Sequence, residues 1–272
     1  MKSLKFYKKK SYEIRKKLFE KFYILKEGHP GSVFSIMDIL IYLYYSGHVR
    51  VRNSKVLDDI IMSKGHATVG QYPILHDLKI IKNKDWVNWG KNNNSILKMF
   101  GNNNIPGIKT ATGSLGHGIG FGTGIAYAAK KSKNNKKIFV IISEGELYEG
   151  STWEAMMLLS SLNLSNVIII LDVNNNIILG DPKDCLPLGN IKKKISGFGL
   201  NVLECNGHNF KEIDYNFRKI FKLKSPSCLI VNTIKGKGFK IMENKANWHY
   251  WNPIDENSYK KILINLKSIY AR

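Results

Sequence analysis

The amino-acid sequence predicts an α/β fold with a mostly parallel central sheet and helices on both of its faces. From residue 112 onward, four short apolar runs that are typical of buried strands alternate with segments of helical periodicity. Such alternation produces a parallel sheet, because each helix carries the chain back across the sheet before the next strand. The 272 residues are 43% hydrophobic and contain no internal repeat or long linker, so we expect a single domain over residues 1–272.

The amino-terminal part predicts two helices and one strand. Apolar side chains recur at helical spacing over residues 12–26, and the following Gly-His-Pro-Gly-Ser segment ends that helix. We expect Ser35 to cap a second helix that ends at Gly47, because serine favours helix starts and glycine favours helix ends. The later features are a strand at residues 59–62, helical periodicity near Tyr72, and an irregular connection with a short helix over residues 82–104.

Strands and helices alternate strictly in the remainder of the chain. A glycine-rich turn at residues 113–124 opens a helix that runs to Lys131. The predicted strands cover residues 137–142, 166–171, 200–204 and 227–232. The other predicted helices cover residues 150–163, 189–196 and 210–223, with a terminal helix from Asn257.

The chain is strongly basic, with 42 Lys and Arg against 21 Asp and Glu. Dispersed positive charge could bind a nucleic acid, because phosphate backbones attract it. However, the basic residues are mostly Lys and spread along the whole chain, and Ile and Asn are abundant as well. A compositional bias toward Lys, Ile and Asn explains these facts together, so we expect no nucleic-acid partner. The excess charge could still attract phosphorylated substrates.

The cysteines and the hydropathy pattern predict a cytoplasmic location. Cys185, Cys205 and Cys228 are far apart and form no Cys-x-x-Cys pair, which argues against a disulfide framework or a zinc site. The basic start of the chain is not followed by an apolar run of signal-peptide length. No segment approaches the roughly 20 apolar residues of a membrane helix, so no membrane association is expected.

Two predicted strands are followed by oxygen ligands. Glu144 comes shortly after the strand at residues 137–142, and Asn174 comes shortly after the strand at residues 166–171. Ligands of parallel α/β sheets bind at the carboxyl ends of the strands, and Mg²⁺ prefers oxygen ligands, so the pair predicts a metal site. Alternatively, each residue could have a structural role: the negative charge of Glu144 could stabilise a helix start, and Asn174 could form a turn.

The glycine-rich turn is a second candidate site. Its glycines, at positions 113, 116, 118, 120, 122 and 124, surround Ser114, Leu115 and His117. Such spacing lets backbone amides approach a ligand at the start of a helix. The later glycines could equally allow the helix to pack closely against the sheet.

Several motifs resemble those of transketolases in type, order and spacing. They are Gly-His-Pro-Gly-Ser at 28–32, Ser-Lys-Gly-His-Ala at 63–67, Thr-Gly-Ser-Leu-Gly-His-Gly at 112–118, Glu-Gly at 144–145 and 149–150, Trp-Glu-Ala at 153–155, Asn174, Gly-His at 207–208 and Lys-Gly-Lys-Gly at 235–238. The chain resembles the amino-terminal half of that family over nearly its whole length. The resemblance implies the diphosphate-binding module of the thiamine-diphosphate-binding fold.

The resemblance also implies cofactors and their ligands. Thiamine diphosphate would be bound with Mg²⁺, or with Ca²⁺ or Mn²⁺. Glu144 stands at the family's metal-binding aspartate, Asn174 at its metal-binding asparagine, and Asn176 at the position that lends a backbone carbonyl. The implied cofactor-binding residues are His66, Gly113, Ser114, Leu115, Gly145, Glu146, Asn174 and His249. As alternatives to cofactor binding, His66 could cap the next helix, and His249 could be packed among aromatic residues.

The catalytic residues implied by the resemblance are His29, Glu149 and Glu154. His29 matches a histidine that lines the substrate channel near the reactive thiazolium carbon. Glu149 and Glu154 match glutamates close to the subunit interface. Lys235 and Lys237 could steer phosphate or could belong to a surface turn.

Three departures from the family pattern qualify these implications. Glu144 replaces the usual aspartate, and its extra methylene must be absorbed because Mg²⁺ tolerates little distortion. Residues 99–104 lack the Gly-His-Pro that related enzymes place against the donor sugar. The pyrimidine-binding domain is expected on a separate chain.

We therefore expect the amino-terminal subunit of a two-chain transketolase-like enzyme. It would transfer a two-carbon ketol unit between sugars or sugar phosphates, together with a carboxyl-terminal subunit in an α2β2 assembly. The alternatives are a subunit of another thiamine-dependent carboligase or decarboxylase, and a non-catalytic scaffold subunit of the same fold.

Overall fold

The structure is a computed structural model that describes residues 2–91 and 95–270. Its α-helices are α1 (Leu4–Leu25), α2 (Pro30–Ser46), α3 (Tyr72–Asp77), α4 (Asn83–Asn88), α5 (Gly118–Lys131), α6 (Gly150–Ser161), α7 (Pro182–Cys185), α8 (Ile191–Gly197), α9 (Phe210–Ile220) and α10 (Glu256–Tyr270). Its strands are β1 (Val51–Arg52), β2 (Lys55–Val56), β3 (Asp59–Met62), β4 (Ile138–Ser143), β5 (Val167–Val173), β6 (Asn201–Asn206) and β7 (Ser227–Asn232). Short 3₁₀ helices cover Gly65–Gly70, Glu144–Tyr148 and Ala246–His249.

The central sheet has five parallel strands in the order β3-β4-β5-β7-β6, which confirms the predicted fold class. Ser143 at the end of β4 pairs with Asp172, and Val173 at the end of β5 pairs with Asn232. Three neighbouring strands thus end at the same level. The loops that follow them emerge at one edge of the sheet. Strands β1 and β2 form a separate antiparallel pair, which the sequence did not predict.

Alternate residues of the strands pack on opposite faces of the sheet. In β4, Phe139 and Ile141 belong to one hydrophobic cluster, whereas Ile138, Val140 and Ile142 belong to the other. The first cluster includes side chains of α1, α2, α9 and α10, and the second includes side chains of α5, α6 and α8. Both faces are therefore covered by helices, as predicted. Burial on both faces explains why the strands are continuously apolar.

Helix α2 begins at Pro30, so the prediction that Ser35 caps it is wrong. Proline suits a first helical position, because its φ is already fixed and it has no N–H to leave unpaired. Ser35 lies inside the helix, where its hydroxyl donates to the Ser32 carbonyl at 2.9 Å and to Asp172 at 2.7 Å. Gly47 ends the helix with a left-handed φ of 87°, as predicted.

Helix α1 begins well before the predicted residue 12, because the Ser3 side chain accepts a hydrogen bond from the Phe6 amide at 3.2 Å. Other predicted boundaries shift by a few residues or not at all. The short helix expected between residues 82 and 104 is α4, and residues 92–94 of that connection lie outside the described residues. None of the helices within residues 2–91 and 95–270 is long and apolar enough to cross a membrane.

The glycines of α5 fall into two classes. A Cβ atom at Gly122 would lie 2.4 Å from Cγ2 of Val140 on β4, and one at Gly118 would meet the backbone of Ser63 at 2.5 Å. At Gly120 and Gly124, a Cβ would meet no heavy atom of the described chain within 4 Å apart from the adjacent backbone of α5 itself. Gly122 therefore serves close packing of α5 against β4, and Gly118 serves close packing of the start of α5 against the loop after β3.

A matched pair of substitutions tests this division. Gly122→Ala should lower the free energy of unfolding by about 1–3 kcal/mol, because the added methyl overpacks the contact with Val140. Gly124→Ala should raise it by about 0.4–1 kcal/mol, because it removes backbone freedom from the unfolded chain. Denaturant titration of the isolated chain measures both. Equal effects of the two substitutions would contradict the assignment.

Candidate active site

A cavity of about 790 Å³ opens at the edge of the sheet where the parallel strands end. Its lining comes from the loops that follow β3, β4 and β5, from the glycine-rich turn, and from the 3₁₀ helix Ala246–His249. Of the predicted site residues, His29, His66, Gly113, Leu115, Glu144, Gly145, Glu149, Asn174, Asn176 and His249 line it. The described lining residues do not include Ser114, Glu146 or Glu154.

Glu144 is a buried carboxylate that faces the cavity. Its side chain is 4% exposed, and Oε2 accepts a hydrogen bond from the Asn175 amide at 2.9 Å. Burial raises the pKa of Glu144, and the backbone amides of Asn175 and Asn174 oppose that rise. Glu144 forms no ion pair with any described residue. A buried charge without a cationic partner is costly, so a divalent cation fits this position.

Asn174 and Asn176 would complete that cation site. Both line the cavity beside Glu144. In the described part of the chain, no group of three or more His, Cys, Asp and Glu side chains could hold a metal. A metal here would therefore depend on amide and carbonyl oxygens in addition to one carboxylate. Such a ligand set suits Mg²⁺ when substrate phosphates supply further oxygens.

Glu146, and not Glu144, forms a capping box with Ser143 at the start of the 3₁₀ helix Glu144–Tyr148. Ser143 precedes this helix, and its amide donates to Oε2 of Glu146 at 2.8 Å in a capping box. The other oxygen accepts from Gly116 N at 3.1 Å and from the Ser63 hydroxyl. We expected Glu146 to contact the cofactor, but the structure gives its carboxylate entirely to protein partners. It joins the glycine-rich turn to the loop after β3.

Basic side chains form a second cluster at the same cavity. The ring centroids of His29, His66 and His249 lie 5.4 to 5.7 Å apart. Burial and then the charge of Lys64 lower the pKa of His66 well below its ordinary value. Burial and then the charge of Lys235 lower the pKa of His249 to about 4. Basic groups that suppress one another's protonation fit an anion such as a diphosphate, which would relieve their repulsion.

Lys235 connects the basic cluster with the oxygen ligands. It is 1% exposed, so it does not belong to a surface turn. Its Nζ donates to the backbone and side-chain oxygens of Asn176, both at 3.0 Å, and lies 3.2 Å from Nδ1 of His249. Burial and then the charge of Lys64 lower the pKa of Lys235 to about 8. The Asn176 carbonyl, an implied metal ligand, therefore already accepts one hydrogen bond.

His66 does not cap the helix that follows it. It lies inside the 3₁₀ helix Gly65–Gly70, whose capping position is Lys64 and has no side-chain capping bond. The close approach of this segment to the glycine-rich turn depends on Gly65, because a Cβ there would lie 2.4 Å from the Thr112 carbonyl oxygen. Glycine at this position thus allows His66 and Gly113 to share one cavity.

Sequence reasoning missed several residues of the cavity. Lys64 lines it and is 1% exposed; it belongs to the Ser-Lys-Gly-His-Ala motif, but the sequence assigned it no role of its own. The mouth carries apolar side chains, of which Ile178 is 62% exposed, Leu179 78% and Leu186 65%. Apolar residues within a loop have no chemical signature, so only the structure identifies them.

The chain is similar to known proteins over most of its length. Residues 10–265 match the family described as transketolase, thiamine diphosphate binding domain. The chain is 36% identical over 247 residues to one of the subunits of apulose-4-phosphate transketolase from Phocaeicola vulgatus, and the match covers 89% of this chain and 87% of that protein. It is 36% identical over 231 residues to the protein of the same name from Actinobacillus succinogenes, with 82% of each covered.

The fold is similar to that of a solved transketolase from Campylobacter jejuni. The TM-score is 0.84 at 28% sequence identity, and the match covers 98% of this chain. It covers 42% of the Campylobacter protein, so this chain spans less than half of that transketolase.

The pKa of His249 predicts how stability depends on pH. Because its pKa is about 4 in the folded chain and 6.5 ordinarily, the unfolded chain takes up more protons between these values. The free energy of unfolding should therefore fall as the pH is lowered from about 6.5 to about 4, and His249→Gln should show a smaller fall. Denaturant titration of the ligand-free chain at several pH values measures this. His117→Gln, a change outside the cavity, is the control, and identical profiles for the wild type and His249→Gln would refute the assignment.

Proposed function

Because the chain belongs to the transketolase family through its thiamine-diphosphate-binding domain, we propose that it is the cofactor-binding subunit of a two-chain transketolase. The family resemblance carried by the ordered motifs is confirmed. One observation supports the proposal most strongly: a single cavity holds both an unpaired buried carboxylate and a cluster of histidines with lowered pKa values. The carboxylate suits the metal, and the imidazoles, which are neutral near pH 7, can donate N–H groups to a diphosphate.

The positions of the implied ligands in the cavity support an assignment of the residues that would hold the cofactor. Glu144, Asn174 and Asn176 would bind Mg²⁺, with Ca²⁺ or Mn²⁺ as substitutes, and His66 and His249 would face the diphosphate. When bound, thiamine diphosphate stabilises a carbanion and acts as an electron sink, and the protein supplies orientation and electrostatics.

His29 is the residue of this chain best suited to move a proton. It lines the cavity, and its ring centroid lies 4.8 Å from that of Tyr250 and 5.9 Å from that of Phe100. Burial lowers the pKa of His29, so its imidazole is neutral near pH 7 and can accept a proton at a ring nitrogen. The reaction would transfer a two-carbon ketol unit between sugars.

We propose sugar phosphates as substrates and a carboxyl-terminal transketolase-like chain as partner. The net charge of +21 would attract phosphorylated sugars, and two relatives are named as subunits of apulose-4-phosphate transketolase. Glu149 at the cavity and the exposed Glu154 on α6 would lie near the partner in an α2β2 assembly. The three free cysteines suit a reducing cytosol.

Activity of the reconstituted complex tests the reaction. The chain should be co-purified with the carboxyl-terminal transketolase-like chain of the same genome and assayed with Mg²⁺ and thiamine diphosphate. Transfer of a two-carbon unit from a ketose phosphate to an aldose phosphate is expected. Carbon dioxide release from a 2-oxo acid without ketol transfer would instead support a decarboxylase. Absence of any cofactor binding would support a scaffold subunit.

Substitution of Glu144 tests the metal site separately. Glu144→Gln should weaken magnesium-dependent binding of thiamine diphosphate, because the charged ligand is lost. Substitution of a residue that merely holds a metal ligand typically weakens binding roughly 10- to 100-fold, so loss of the ligand itself should cost at least as much. Glu144→Asp should retain binding, because it restores the family's usual ligand. Calorimetric titration of the two-chain complex measures both, with the exposed Glu256→Gln on α10 as the control. Unchanged binding by Glu144→Gln would exclude this residue as a ligand.

A further inference from the structure

A buried ionic cluster lies outside the cavity, between α1, α2 and the turn after β6. Nη1 and Nη2 of Arg15 donate to the two carboxylate oxygens of Asp38 at 2.6 and 2.9 Å, and Nδ1 of His208 lies 2.9 Å from Oδ2 of Asp38. Arg15 is 0% exposed and Asp38 is 3% exposed. Burial would raise the pKa of Asp38, but Arg15 and His208 hold it well below its ordinary value. Separation of these side chains would leave a buried charge unpaired, which is strongly destabilising. The three side chains are therefore held in this arrangement.

The cluster binds the backbone of residues 233–238 at two points. Nε2 of His208 accepts a hydrogen bond from the Ile234 amide at 2.9 Å, so its proton must lie on Nδ1, which donates to Asp38. Nε of Arg15 donates to the Lys237 carbonyl at 3.0 Å. These two bonds stand on either side of Lys235.

The same segment is tied to the start of α2. The Gly236 amide donates to the Gly31 carbonyl at 2.9 Å. Gly31 has no room for a side chain, because a Cβ there would lie 2.8 Å from the Trp248 carbonyl oxygen and 3.1 Å from Cγ of Lys235. Lys235 therefore follows one narrow path from the segment to Asn176 and His249.

We propose that His208 is a positioning residue for the cofactor cavity. Held by Asp38, it fixes the segment 233–238, and Lys235 on that segment fixes Asn176 and His249. The proposal rests on the proposed function, because Asn176 and His249 are the residues that would face the metal and the diphosphate. His208 itself does not line the cavity within the described residues.

Ser11 offers a matched control within the same cluster. Its hydroxyl donates to Oδ1 of Asp38 at 2.8 Å, and Ser11 is as fully buried as Arg15. No hydrogen bond of the described chain joins the Ser11 side chain to residues 233–238. Ser11→Ala thus removes a bond to Asp38 without touching the segment, whereas substitution of His208 removes a bond to Asp38 and a bond to the segment.

Hydrogen exchange of the ligand-free full chain tests the positioning role directly. His208→Leu should speed exchange of the Ile234 and Gly236 amides roughly tenfold, the factor expected for loss of one hydrogen bond, whereas Ser11→Ala should leave them unchanged. His208→Gln, which keeps one acceptor and one donor, should recover part of the protection. His208→Asn, which is too short to reach both partners, replaces the leucine variant if that variant does not fold.

Cofactor binding by the two-chain complex supplies the functional measurement. His208→Leu should raise the apparent Kd for thiamine diphosphate with Mg²⁺ roughly tenfold and leave kcat at saturating cofactor near the wild-type value. Ser11→Ala should bind as the wild type does. Unchanged exchange at 234–236 in His208→Leu, or equal weakening by Ser11→Ala, overturns the proposal. If the wild-type complex binds no cofactor, the proposed function fails, and the exchange measurement on the free chain still decides the positioning role.

Discussion

The loops around the cavity depend on one buried carboxylate, that of Asp172 at the end of β5. It accepts hydrogen bonds from Lys64 at 2.6 Å, from Ser35 at 2.7 Å and from the Thr233 hydroxyl. These partners come from the loop after β3, from α2 and from the segment after β7. Burial would raise the pKa of Asp172, but Lys64 and the hydrogen bonds keep it below its ordinary value. None of the three segments can move away without leaving buried charge or a buried polar group unsatisfied, so they are fixed together.

Two glutamates of one short helix differ in their partners, which separates a structural role from the proposed binding role. Glu146 is fully buried, and its carboxylate oxygens accept hydrogen bonds from the Ser63 hydroxyl and from the backbone amides of Gly116 and Ser143. Glu144 receives backbone amides such as that of Asn175 and faces the cavity with no cation beside it in the described chain. The Ser-x-x-Glu pattern that ends at Glu146 is a capping-box signature. The structural role of Glu146 was therefore visible in the sequence, and the family resemblance alone assigned it to the cofactor.

Strands and the edge at which they end were predictable, because both depend on local hydrophobic pattern and on general rules of parallel sheets. The strand Ser227–Asn232 has the predicted bounds. Ser35 was misassigned because a serine near a helix start is a local signal, whereas its bond to Asp172 is a tertiary one. The burial of Lys235 and the exposure of Ile178 depend on which segments meet after folding. No local pattern contains that information.

The strand order has a consequence for how the cavity is held together. Strand β3 lies at one edge of the sheet and pairs only with β4 among the described strands, although residues 63–137 separate the two along the chain. This pairing closes the longest loop of the sheet and carries the largest closure entropy. Lys64 and His66 follow β3 directly, so detachment of this one strand would remove them and leave the other four strands paired. A ligand that binds only the complete cavity opposes that local opening by mass action. Occupancy of the cavity and retention of this edge strand are therefore thermodynamically linked.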